Sequence, residues 1–401
     1  MIKYFILTFG FSIICTWSMG QESIVGKPIV CYHEESHAKT SSVHPRGYVP
    51  PGVPPQVLSV NELIYTNVPQ EAMPAIQKAS TIWAGLLESK VPIRINIIWA
   101  PLEGNAVAST RATRLFKGFS GAVRDDVWYP VALAEKITGE ELNAGAADVE
   151  ILLNENVNWY FGTDGQTPAD AFDLVSVALH EIIHGLGFNS FARIEGERGI
   201  LRDEGSLSIY DLLLETSLRR RLSTYSDHTT EMRSALTSNN IFIFSPTAAK
   251  FNKGNLPKVE SPETFTPGSS LSHLDEESFP PGNPNSLMTP NFSRGESMHS
   301  PGNIVLGILA DLGWDDSRHP TVKILAYPNP SNGIFRLDIP LDISSAEVSL
   351  FDVSGRVIKR KGEMKFSGPE NQIDVSDVGQ GIYILVIKTS GERVALKLIF
   401  L

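Results

Sequence analysis

Cysteine is almost absent from this chain. Its 401 residues include two, and one of them, Cys15, lies in an N-terminal stretch that reads as a removable export signal. With that stretch gone only Cys31 remains, so an intramolecular disulfide is excluded and stability must come from core burial and any bound metal. Positive charge is also scarce: 34 Lys and Arg against 45 Asp and Glu give a net charge of -11. A nucleic-acid binder needs a basic footprint, so that class of partner is set aside. Long apolar runs are missing too. The most membrane-like run begins at Tyr4 and stops at Ile14, short of the roughly 20 residues that span a bilayer. With Lys3 before it and Ser18 and Gly20 behind it, the run reads as a signal peptide over residues 1–20, cleaved after Gly20. No transmembrane segment is expected after its removal. No internal repeat is visible, and the length favours two domains with processed ends.

Residues 21–57 are polar and turn-rich and end in "VPPGVPP", which reads as an extended leader or linker and a candidate pro-segment. Order is expected from about Asn61. "ELIYTNV" has strand composition. "EAMPAIQKASTIWAGLLES" repeats Ala75, Ile76, Ala79, Ile82, Trp83 and Leu86 at helical spacing, and "PIRINIIWA" alternates as a strand. In "ADVEILLNEN" the residues Val149, Ile151 and Leu153 share one face of a further strand, a candidate edge for holding an extended peptide. A second helix is expected in "SIYDLLLETSLRRRL", and residues 239–289, rich in Pro, Ser, Asn and Gly, read as irregular. "NIVLGILADLGW" has helical spacing with Asn303 as N-cap and Gly313 as the stop. After it, residues 317–324 read as a linker, and residues 325–401 become short alternating strands joined by Asn-Gly and Ser-Gly turns, a small all-β sandwich. The expected fold class is therefore α+β: a mixed sheet with one chemistry-bearing helix, then a β-sandwich.

The chemistry centres on "HEIIHGLGFNS", which begins at His180. On a helix, residues four apart share a face, so His180 and His184 can aim two imidazoles at one zinc ion. Glu181 lies one position round, close enough to take a proton from water as general base. Thr167, Pro168 and Asp170 read as the helix start, with proline in the first turn. Gly185 and Gly187 read as its end.

Through Gly187 this run resembles the long zinc motif of the metzincin metallopeptidases, which would place a third histidine at position 190. The chain has Ser190 there. The leishmanolysin-like branch of that family delays its third histidine until just before a methionine turn, and "SLSHLDEESFPPGNPNSLMTP" offers His273 and Met288 for those two places. The resemblance implies a zincin/metzincin-like catalytic domain over residues 58–316. It also implies one catalytic zinc ion on His180, His184 and His273, with protein or peptide substrates. Glu204, His228 and His299 are competing third ligands, and Met288 also suits an ordinary core position. Calcium is compatible with the Asp and Asn residues between Asp148 and Asp164, but no loop there carries a calcium signature. In "CYHEESH", Cys31 is placed to act as a latency switch, as in related metallopeptidases, because a thiolate is a good zinc ligand. It is equally an ordinary thiol, and His33 and His37 beside it form only a weak metal cluster.

"AYPNPSNGIFRLDI", "LFDVSGRVIKR" and the closing "GIYILVIKTSGERVALKLIF" resemble the C-terminal sorting domain of the type IX secretion system. That resemblance implies the outer-membrane secretion machinery as a partner, and release or surface attachment after export. The leading expectation is a secreted zinc endopeptidase. The alternatives are a surface-exposed adhesin or binding protein with a structural or decayed metal site, and zinc-dependent hydrolysis of a bond other than a peptide.

Overall fold

The computed structural model of the chain describes residues 21–33, 41–43, 58–314, 325–327, 329–338, 345–365, 371–388 and 393–401. The signal segment 1–20, His37, the proline-rich end of the leader and the linker 317–324 lie outside these residues. Mixed α/β structure dominated by sheets is followed by a C-terminal β domain. Two compact units are formed: one from the chain up to Phe191 with Arg202–Tyr210 and Pro290–His299, the other from Ala192–Leu201, Asp211–Thr289 and the chain from Ser300 onward.

The first unit is built on a six-stranded sheet. Its parallel part comprises β4 (Asn61–Thr66), β5 (Ile93–Ala100) and β9 (Val149–Asn154), with helix α1 (Met73–Ala84) crossing from β4 to β5. Those four elements match the sequence expectations. The next strand, β6 (Ala106–Ala112), runs antiparallel to β9. The leader supplies the following one. Strand β2 (Ile29–His33) pairs antiparallel with β6 on one side and parallel with the short strand Asn291–Phe292 on the other. Two further leader strands are also paired: β1 (Glu22–Val25) with β7 (Arg114–Lys117), which pairs in turn with β8 (Tyr129–Pro130), and β3 (Ser41–Val43) with Glu296–Met298. So the leader is not a detached extended arm; it is woven into sheets at three places. The reading of β9 as an edge is also corrected, because β9 lies inside the sheet between β5 and β6.

The helix α3 (Leu174–Gly185) carries the zinc-type motif, and all twelve of its residues are buried. A helix apolar all round belongs in a core, and α1 packs beside it, with the Trp83 indole N–H donating to the Leu179 carbonyl at 2.9 Å. Gly185 is needed for close approach: a Cβ there would lie 2.2 Å from a methyl of Val149. It is the last helical residue rather than the breaker. The turn itself falls at Gly187, whose φ of 119° suits glycine.

In the second unit the helix expected in "SIYDLLLETSLRRRL" is absent. That segment forms a short 3-10 turn at Asp211–Leu213 and a strand, Leu214–Thr216, which pairs antiparallel with Ile241–Ile243. Sheet partners distant in sequence override the local helical spacing. The "NIVLGILADLGW" helix forms as Gly302–Leu309, but its N-cap is Pro301 instead of Asn303. At the C-terminus, two antiparallel sheets of three and four strands enclose a core of Phe335, Leu337, Val348, Leu350, Ile373 and Leu385, the expected sandwich.

Candidate metal centre

The start of α3 is fixed by a buried carboxylate. Asp173 is the N-cap, six residues beyond Thr167, the N-cap expected from Thr167-Pro168-Ala169-Asp170. Its side chain accepts from the Ser176 backbone N–H at 2.8 Å and the Ser176 hydroxyl at 2.6 Å, satisfying donors that a helix start leaves open. Thr167 donates to the same carboxylate at 3.0 Å, and His299 Nε2 lies 2.8 Å from it. His299, a competing ligand by sequence, is therefore engaged at the helix start. Met298 N–H donates to the Ser176 hydroxyl, and His299 N–H to the Val43 carbonyl, so the same knot joins α3 to the leader strand β3.

Two turns further on, the spacing of four does what the sequence suggests. The Nε2 atoms of His180 and His184 lie 3.0 Å apart. His184 Nδ1 sits 2.7 Å from the Phe188 carbonyl, which can only accept, so Nδ1 carries the proton and Nε2 the lone pair. Cys31 enters from β2: its Sγ lies 3.3 Å from His180 Nε2 and 3.6 Å from His184 Nε2. The pairing of β2 with β6 slips by one residue between Cys31 and Tyr32, an irregularity that re-aims side chains locally.

His273 is held by its own surroundings. Its Nδ1 lies 2.9 Å from the Ser269 carbonyl, which again leaves Nε2 as the lone-pair nitrogen. Its carbonyl accepts from Glu260, and the next residue, Leu274, donates to the Met288 carbonyl at 2.7 Å, so His273 and the turn that holds Met288 are tied together. Burial pushes the His273 imidazole down to about 4, which keeps it neutral and able to ligate at ordinary pH. One ligand atom from each of Cys31, His180 and His184 lies within 4.8 Å of the others, and all three residues are buried; His273, in the second unit, is buried as well. This is a donor group able to hold a metal ion. Glu204 and His228 are exposed and stand outside it. Met288 is fully buried in the 3-10 turn Ser286–Met288.

Glu181 is fully buried as well. Burial raises its carboxyl to about 7, against the opposing effects of the Thr110 hydrogen bond and the nearby Cys31 thiol. Thr110 Oγ1 donates to Glu181 Oε2 at 2.5 Å, while Oε1 has no hydrogen-bond partner among the described residues. An unsatisfied buried oxygen costs about 1–3 kcal/mol, and such an oxygen beside a metal-type donor group suits a proton acceptor for water. The donors therefore suit a metal ion: two imidazoles, one with its tautomer fixed by the Phe188 carbonyl, and a thiol, with a carboxylate adjacent. Burial, reinforced by the Glu181 charge, pushes the Cys31 thiol well above its ordinary value. The role of Thr110 carries no signal in the sequence, since a threonine in an alternating strand is commonplace.

A second group of ligand-type residues lies elsewhere in the first unit. Glu135, Glu141 and Asp148 bring carboxylate oxygens within 4.8 Å of one another. Glu135, in helix α2 (Val131–Thr138), accepts from Leu142 N–H at 2.8 Å. Asp148 accepts from Arg94 N–H at 2.8 Å and from the Asn143 amide at 2.6 Å, and Glu141 pairs with the Arg94 guanidinium.

Residues 325–400 match the family described as "Secretion system C-terminal sorting domain". The chain is accordingly one exported by type IX secretion, to the cell surface or the extracellular space. Residues 124–194, which include α3, match a second family described as "SPBPB7E8-like". Over 64 residues the chain is 38% identical to "Uncharacterized protein PB7E8.01" of Schizosaccharomyces pombe, which covers 16% of this chain and 11% of that protein.

Proposed function

We propose that the exported protein is a zinc-dependent endopeptidase of the metzincin type, in the manner of its leishmanolysin-like branch. The observation that carries this reading is the buried Glu181 carboxylate. One of its oxygens is held by Thr110 and the other is unpartnered, beside two imidazole nitrogens 3.0 Å apart. A purely structural zinc site has no use for such a base.

In this reading His180, His184 and His273 hold the ion, which supplies Lewis acidity and makes water acidic near neutral pH. Glu181 Oε1 takes a proton from water as the water oxygen bonds to the acyl carbon. Glu181 then delivers that proton to the amine nitrogen as the C–N bond breaks. The substrate is an extended peptide. Strand β2 now lies along the outer edge of β6, and once the leader is removed that edge offers its backbone groups to another strand. Met288 closes the floor of the site, and the leader with Cys31 keeps the precursor latent.

A second reading draws on one observation: Cys31 is a fourth protein donor, and four protein donors suit a closed, structural site. It would make the protein a surface adhesin or binding protein. A casein gel overlay of the exported protein separates the two. The peptidase reading expects clearing by wild type, its loss on chelation, and its loss in Glu181→Ala although zinc is retained. Wild type that holds zinc and clears nothing would establish the structural site instead.

A further inference from the structure

We infer that Thr110 is a positioning residue for Glu181, holding one carboxylate oxygen so that only Oε1 meets the reacting water. The inference rests on the peptidase reading above. It begins with the sheet: Thr110 stands opposite Ile29 of β2 and Ile151 of β9 in the strand registers. Directly opposed residues share a face, and Thr110, Ile29 and Ile151 are all buried. From this face Thr110 Oγ1 reaches Glu181 Oε2 at 2.5 Å.

A carboxylate on a two-torsion stem can rotate, and either oxygen could then point at the reacting groups. Thr110 removes that freedom. Its hydroxyl has one proton to give, and it gives it to Oε2. The neighbouring strand β9, which stays in place when the leader departs, keeps the donor positioned, since β6 is hydrogen-bonded along it. A base held in one orientation loses no time or free energy in finding it. A valine at this position would fill nearly the same volume and leave both oxygens unheld in a buried site.

The test uses the zinc-loaded exported protein and three versions of position 110. Thr110→Val is expected to lower kcat by about tenfold to a hundredfold, with KM and zinc affinity by chelator competition unchanged. Thr110→Ser keeps the hydroxyl and is expected to restore kcat. The inference is overturned if Thr110→Val keeps wild-type kcat, if it loses zinc, or if Thr110→Ser falls as far as Thr110→Val. Failure of the underlying reading looks different: wild type and Glu181→Ala would then be equally inactive, and the role of Thr110 would fall with it.

Discussion

The first unit contains two groupings of metal-ligand chemistry, and they differ in what their atoms have left to do. Around Glu135, Glu141 and Asp148 the carboxylates are answered by nearby donors: Leu142 N–H, Arg94 N–H, the Arg94 guanidinium and the Asn143 amide. Around His180, His184 and Glu181 the supporting bonds are arranged differently. The Phe188 carbonyl engages the far side of His184, and Thr110 engages one oxygen of Glu181, so the near-side atoms converge on one another. Proximity alone does not make a site. What separates the two groupings is where the supporting hydrogen bonds fall: N–H donors take up the carboxylate oxygens in one, while in the other they engage the far side of His184 and one oxygen of Glu181.

The strongest attempt to break this contrast removes an inward donor. His184→Ala, or His273→Ala, is expected to reduce bound zinc from about one ion per chain to almost none. Glu141→Gln should leave zinc content as it was. Metal analysis after gel filtration decides the matter, and equal loss in both kinds of variant would erase the distinction.

A smaller effect is expected at the leader. Cys31→Ser weakens the fourth donor, and the full-length, uncleaved chain should become active on casein before any processing. A precursor that stays fully latent would remove the thiol from the proposed switch.

The smallest effect sharpens the other side of the comparison. Burial, with the charges of Asp148 and Glu141 nearby, raises the Glu135 carboxyl to about 8. The folded protein then keeps a proton that the unfolded chain releases near 4.5. The resulting stabilisation is complete below the unfolded value and is lost as pH rises through the folded one. Thermal melts of wild type should therefore decline between about pH 5 and pH 9. Glu135→Gln cannot ionise and should be more stable than wild type at the alkaline end by roughly 1 kcal/mol, with little difference at the acid end. Parallel melting curves across that range would show that Glu135 titrates normally.

Much of this was legible in the sequence wherever the determining contacts are local. The pair His180 and His184 is fixed by helical spacing, and strands β4, β5 and β9 announce themselves by alternation. His273 is named as a ligand only through a family resemblance, because nothing near it in sequence specifies a metal. "SIYDLLLETSLRRRL" misled for a related reason: its apolar spacing suits a helix, but Leu214–Thr216 pairs with Ile241–Ile243, a partner no local pattern reveals. Thr110 and the His299–Asp173 pair were invisible because each acts across the fold. The leader concealed most. A polar, turn-rich stretch gave no hint that Ile29–His33 would lie inside a six-stranded sheet.

That placement gives the leader a mechanical role. A tail attached at one point can be trimmed by a single cut, but a strand stitched between two neighbours stays in place after its ends are severed. Its departure requires both flanking ladders to unzip. In the proposed peptidase reading, maturation would remodel the protein's own sheet, at a rate set by how fast that sheet lets go.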